Sequence, residues 1–266
     1  MPRIPHLAGP LRTIITGETT RRVAFATDEA LMIGRVMMIA LGISLAFGGT
    51  AAAQKPAMPA MPADPPPTRI VLADVVEARH RDAVLAVVKK PTITTRGTSP
   101  ELVCSPAVYV WLLEHPDRVS LAWPRLKVNC VEIADAGKGV FTWADGDGSE
   151  LVWQNVGRFP DGLVWYATGK VKCSPVTPTI PVKAVVVMHH PKKLAADGTA
   201  TISPVAHVYL QTDSKAASVV LKLLGPTAPK LAEQGADQLL YFFTGIANYA
   251  HKHPEKMDEL LAPAKK

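Results

Sequence analysis

The sequence predicts an α+β fold: seven strands in one antiparallel sheet, two short helices after the first strand, and one long helix near the C-terminal end. Three observations predict it. From residue 127 to 211 apolar residues recur with period two between Gly- and Asp-rich turns, the pattern of successive hairpins. Ser105-Pro106 opens a short apolar helix, since Ser suits a helix cap and Pro the first helical position. Residues 229–253, between Gly225-Pro226 and Pro254, carry an apolar stripe at helical spacing. With 266 residues, 48% of them apolar and 20% charged, the chain can bury a real core.

Along the chain, residues 70–80 place apolar side chains at 71, 72, 75 and 76 and read as a short amphipathic helix. Residues 83–95 are apolar and β-branched and read as the first strand, interrupted near Lys90-Pro91, with a turn at 96–100. The helix after Ser105-Pro106 runs to Pro116 and puts Val108, Trp111 and Leu112 on one face; residues 117–121 form a second short helix before Pro124. Strands follow at 127–134, 139–144, 150–159 and 163–172, joined by Asp-Ala-Gly, Asp-Gly-Asp-Gly and Pro-Asp-Gly turns. After a Pro-rich connection, 182–190 and 200–211 form the last hairpin around Asp197-Gly198. In the long helix Ala232, Ala236, Leu239, Phe243, Ile246, Ala247 and Ala250 make the stripe, opposite Lys230, Glu233, Asp237 and Asn248.

The N-terminal part reads as a targeting region. Arg35 precedes an apolar run at 36–48 and Ala51-Ala52-Ala53 is a small-x-small cleavage pattern, so residues 1–53 are expected to be a signal-peptide region, with either Met32 as the start or residues 1–31 as an unusually long n-region. The run is short for a membrane span, although an uncleaved anchor is the alternative. Residues 54–69 are a Pro/Ala-rich linker, 70–255 the folded domain and 256–266 a charged tail. Of the net charge of +6, residues 1–53 hold Arg3, Arg12, Arg21, Arg22 and Arg35 against Glu18, Asp28 and Glu29, which leaves a mild +4 on residues 54–266. With no Lys/Arg block and no zinc-finger spacing, nucleic acid is not an expected partner. Export to a periplasmic or extracellular space permits one disulfide among Cys104, Cys130 and Cys173, in any of three pairings, although buried free cysteines acting as small apolar residues are the favoured reading.

The stretch Cys104-Ser105-Pro106-Ala107-Val108-Tyr109-Val110-Trp111-Leu112-Leu113, followed by His115-Pro116-Asp117, resembles the opening of the helix-grip domains of the START and Bet v 1 type, the polyketide cyclase/dehydrase and lipid transport (SRPBCC) superfamily. The element order over 83–253 resembles that family too. The resemblance implies a curved sheet wrapped around the C-terminal helix, with a hydrophobic molecule between them. Ala232, Gly235, Ala236, Gly245 and Ala247 beside the larger apolar residues of the helix then mean either close packing or room for a ligand.

The residues expected to line such a site are Trp153, Arg158, Trp165, Tyr166, His207 and Tyr209 on strands, and Leu239, Phe242, Phe243 and Ile246 on the helix. The aromatics either pack the sheet or wall a cavity. Arg158, ending an apolar strand, either holds a carboxylate or phosphate head group or is a solvated charge. Asp145-Gly146-Asp147-Gly148-Ser149 resembles the start of a calcium loop, but the Gly and Glu required at the sixth and last loop positions are missing, and a hairpin turn is the better reading. His189 and His190, adjacent in a strand, point to opposite faces; a tight hairpin at Asp197-Gly198 sets His190 on the face of His207. No metal site, cofactor or catalytic set is expected, and Cys104 at a helix start has no partner base. The leading expectation is thus an exported, non-catalytic binder of a lipid or other hydrophobic small molecule, with membrane-surface contact as a further option. The rivals are an envelope interaction module with a filled core and an enzyme using His207 with Tyr209 or Arg158.

Overall fold

The computed structural model describes residues 70–172, 179–194, 200–212 and 228–263; the expected leader and linker, Cys173 and Asp197-Gly198 lie outside them. The elements are α1 (Leu72–Val75), α2 (Ala78–Lys89), β1 (Ile93–Thr98), β2 (Leu102–Val103), α3 (Pro106–Glu114), α4 (Pro116–Arg125), β3 (Ile133–Gly137), β4 (Val140–Ala144), β5 (Glu150–Phe159), β6 (Gly162–Val171), β7 (Ile180–His189), β8 (Lys192–Leu194), β9 (Ala200–Ile202), β10 (Val205–Gln211), α5 (Ala228–Lys252) and, after a 3-10 turn, α6 (Met257–Leu260). The fold is α+β, with a seven-stranded antiparallel sheet in the order β1-β10-β7-β6-β5-β4-β3 and a long C-terminal helix. An antiparallel sheet packed against a long C-terminal helix is compatible with a helix-grip fold.

Two clusters separate the faces of the sheet. On one face α3, α4 and α5 pack over Leu151, Trp153, Leu163, Trp165, Val186, Met188 and Val208, the main core. Helix α5 comes so close to β1 that a Cβ on Gly97 would lie 2.5 Å from the Ala236 carbonyl carbon. Thr98 N–H donates to Asp237 Oδ1 at 2.8 Å alongside. Trp123 of α4 donates its indole N–H to the Phe242 carbonyl, 3.2 Å away, and so ties α4 to α5. On the other face Val84 and Val87 of α2 pack on Val156, Val164, Val185 and Val187, with Tyr166 and Tyr209 at the margin. The sheet is therefore covered on both sides.

That second layer corrects the sequence reading. Residues 83–89 belong to α2, and the first strand is Ile93–Thr98, which runs through the expected turn at 96–100. The valines that signal β structure also fall at 84, 87 and 88, the spacing of one helical face, and burial against the sheet outweighs their modest strand preference. The expected strand at 127–134 survives only as the start of β3. Leu126, Lys127 and Val128 donate N–H groups to Ala122, Pro124 and Trp123, with Lys127 left-handed at φ 63, so this stretch closes the C-terminus of α4. The buried Ser120 hydroxyl then takes the Ile133 N–H at 3.0 Å and starts β3. Helix α4 itself continues past Leu121 through Pro124 to Arg125. Ser105 occupies the cap position of α3 in an extended conformation, but its side chain makes no capping bond.

The last hairpin departs most. β7 pairs with β10, but the connection carries β8 and β9, which join β2 in a separate three-stranded sheet. The register is one residue from that expected: Val205 faces His189 and His207 faces Val187. His189, not His190, therefore shares a face with His207, since a single-residue slip exchanges every side chain between faces. At the other end, the expected charged tail packs instead. Arg125 donates to the Leu260 and Ala262 carbonyls at 2.5 and 2.8 Å, and Leu260 is buried in the main core.

Candidate functional site

A cavity of about 40 Å³ lies between the sheet and α5. Leu151 and Trp153 of β5, Trp165 and Ala167 of β6, Ala184 and Val186 of β7 and Val208 of β10 form its sheet wall. Leu239, Phe242 and Phe243 of α5 and Pro116 at the start of α4 form the other. The strand alternation selects the sheet residues: Trp153 faces Ala167, Ala167 faces Ala184, and Trp165 faces Val186, all on the helix side. Ala167 and Ala184, paired across β6 and β7 beside the indoles, contribute only small side chains to this wall. The rings pack in tilted and edge-on contacts, Trp165 to Phe243 at 5.5 Å and Phe242 to Phe243 at 4.9 Å.

The site residues expected from sequence divide cleanly. Trp153, Trp165, Leu239, Phe242 and Phe243 line the cavity, and Ile246, fully buried, belongs to the same core without reaching it. Tyr166 and Tyr209 lie on the opposite face, where they pack at the edge of the valine cluster under α2. His207 is on that opposite face as well, against His189. Arg158 is on the cavity side of β5, opposite Leu163, but at the strand's end its guanidinium pairs with Glu114 of α3. Leu151, Ala167, Ala184, Val186 and Val208 were not expected in the wall, although the parity of Trp153 and Trp165 points to them.

The chemistry follows from the walls. Every lining residue is apolar, so the cavity offers a bound molecule contact area and no acid, base or nucleophile. Burial pushes Cys104 up to about 11 and Cys130 up to about 12, which disfavours the reactive thiolate, and both are unpaired among the described residues. Asp145 Oδ1 accepts the N–H groups of Asp147, Gly148 and Ser149 at 2.8, 3.0 and 2.9 Å, and Gly146 and Gly148 have positive φ, which builds the expected hairpin turn. Among the described residues no group of three or more His, Cys, Asp or Glu is placed to hold a metal ion. No helix among them is long and apolar enough to cross a membrane.

Two expected results test this account of the polar groups. The Arg158 side chain is 57% exposed, so Arg158→Ala lowers stability by less than about 1 kcal/mol in thermal denaturation, as for other solvated ion pairs. His189 behaves differently. Burial, then His207, His190 and Arg96, lower it from 6.5 to about 4. Because folding depresses its pKa, the native state resists a proton that the unfolded chain accepts. The stability it contributes is full above pH 6.5 and lost as pH falls toward about 4. Discounted for solvent contact, His189→Gln removes about 1–2 kcal/mol of acid sensitivity from denaturant titrations across that window.

No family model matches the sequence, and no curated protein matches it. Among solved structures, a conserved protein from Geobacillus kaustophilus is 12% identical with a TM-score of 0.37, the overlap covering 59% of this chain and 97% of that one. Ara h 8.0201 is 16% identical with a TM-score of 0.26, over 53% of this chain and 93% of that one. Overlaps this loose say nothing about ligand or chemistry.

Proposed function

We propose that this chain is an exported, non-catalytic binding protein of helix-grip type that holds a hydrophobic small molecule or lipid between its sheet and α5. The observation that carries this reading is the cavity itself, with wholly apolar walls at the place where a sheet grips a helix. Apolar burial, about 25 cal/mol per Å², drives such binding and needs no polar anchor. Arg158, exposed and engaged by Glu114 at the end of β5, does not supply a buried anchor for a head group. A ligand therefore presents hydrocarbon or ring to the walls and keeps any polar end outside. The exported location rests on the leader and linker pattern of residues 1–69.

The volume favours a second reading. Ligand pockets usually measure about 300–1,000 Å³, and about 40 Å³ is far below that. A ligand of ordinary size must displace wall side chains to enter; without such movement the domain is an interaction module with a filled core. Thermal shift against hydrophobic molecules of increasing length separates the two. The first reading predicts that selected molecules raise Tm, and that Ala184→Leu, which fills the gap from the sheet side, abolishes the rise while remaining folded. A flat response to the whole panel removes the carrier reading and leaves the interaction module.

A further inference from the structure

The face of the sheet turned away from the cavity carries a second cluster, independent of the ligand reading. β1 sets Arg96 directly opposite His207 of β10, and His189 of β7 lies one diagonal step away. The His189 and His207 rings meet edge to face at 5.5 Å, and Phe159 packs on His189 at 5.2 Å. Both histidines are half-buried, Arg96 is exposed, and Arg96 makes no ion pair among the described residues.

Among the described residues, the surrounding charges do not balance this cluster. His207, His190 and Arg96, the charges that act on His189, are all basic, and the charge acting on His207 is Arg96. Asp161, in the turn after β5, acts on His190, whose side chain lies on the other face. Helix α2, packed over this side of the sheet, adds His80, bonded to the Gln154 amide at 3.0 Å, and Arg81, whose Nε is buried without a hydrogen-bond partner. Its Asp82 is exposed, and Glu77 before it pairs with Arg79. Tyr209, two residues beyond His207, offers only a phenol. Basic groups held together without a counter-charge are costly unless an anion neutralises them.

We propose that Arg96, His207 and His189 form a binding site for a tetrahedral oxyanion, free or as the head group of a lipid. Arg96 supplies the permanent charge and the forked donor geometry suited to such an anion. The histidines, neutral when the site is empty, take up protons as the anion enters, so affinity rises as pH falls.

Calorimetry on the full-length chain tests this at constant ionic strength. Inorganic sulfate is the probe because its charge does not change near neutral pH. Parallel arms use phosphatidylglycerol vesicles and neutral phosphatidylcholine vesicles. The site predicts saturable binding about tenfold tighter at about pH 5.5 than at about pH 7.5, with proton uptake visible as a buffer-dependent heat. Arg96→Gln, at an exposed position, weakens binding at least about fivefold, as loss of a charged hydrogen bond does. His207→Gln flattens the pH dependence. Sulfate binding with these properties identifies a free anion, and binding only to phosphatidylglycerol vesicles, lost in Arg96→Gln, identifies a head group. Absence of both, or binding undiminished in both variants, overturns the site.

Discussion

Gly97→Val is expected to destabilise the domain by about 3 kcal/mol or more, at the upper end for overpacking. The reason is the nature of the obstacle. Already the first side-chain carbon would meet the Ala236 carbonyl carbon at 2.5 Å, its oxygen at 2.6 Å and the Asp237 nitrogen at 2.8 Å. These are backbone atoms of α5, so no rotamer change relieves the clash and the helix must move from β1. Movement also breaks the bond from Thr98 N–H to Asp237 Oδ1. For a domain of this size a loss of that magnitude lowers Tm by about 6–12 °C. Differential scanning calorimetry reads it directly, and a change below about 1 kcal/mol contradicts the close approach of α5 to the sheet.

Phe243→Ala is expected to cost about 3–5 kcal/mol, the range for removing a buried aromatic. Phe243 is 1% exposed and lies between Trp165 and Phe242 in the wall of the cavity. Its loss joins new space to an existing gap with no polar lining, and a dry apolar void of that kind takes up small aromatic molecules. Denaturant midpoints with and without added toluene measure both effects. The account predicts a large loss, partly restored by toluene in the variant, because a ligand that binds only the folded state stabilises it. A small loss with no toluene effect means that α5 collapses onto the sheet and that the cavity is not a lasting feature of the core.

Much of the fold on the cavity side was legible in the sequence. β5 matches its expected bounds, and β4, β6, α3 and α5 lie within a few residues of theirs, because alternation and Asp-Gly turns agree with each other there. What failed was long-range. Residues 83–89 satisfied a strand by composition and a helix by spacing, and only the uncovered valine face of the sheet decides between them. The register of β7 against β10 depended on a tight hairpin, and the β8–β9 excursion removed that constraint.

The site residues follow the same logic. Trp165 and Tyr166 are neighbours on one strand and point to opposite faces, so both cannot wall one cavity. Choosing Trp165 also selects Ala167 on its own strand and, through pairing, Trp153 and Ala184. Tyr209 and His207 fall on the far face by the same parity. No rule of sequence parity reports that Arg158 finds Glu114 on α3, since that contact depends on how two elements distant in sequence meet.

Native mass spectrometry of the full chain, purified from its native host without added hydrophobic compounds, tests the central claim most directly. The account predicts a non-covalent adduct of defined mass, recovered by organic extraction and absent from Ala184→Leu. A clean apo mass from wild type, with no apolar molecule in the extract, contradicts the claim that the space between sheet and α5 is a binding site.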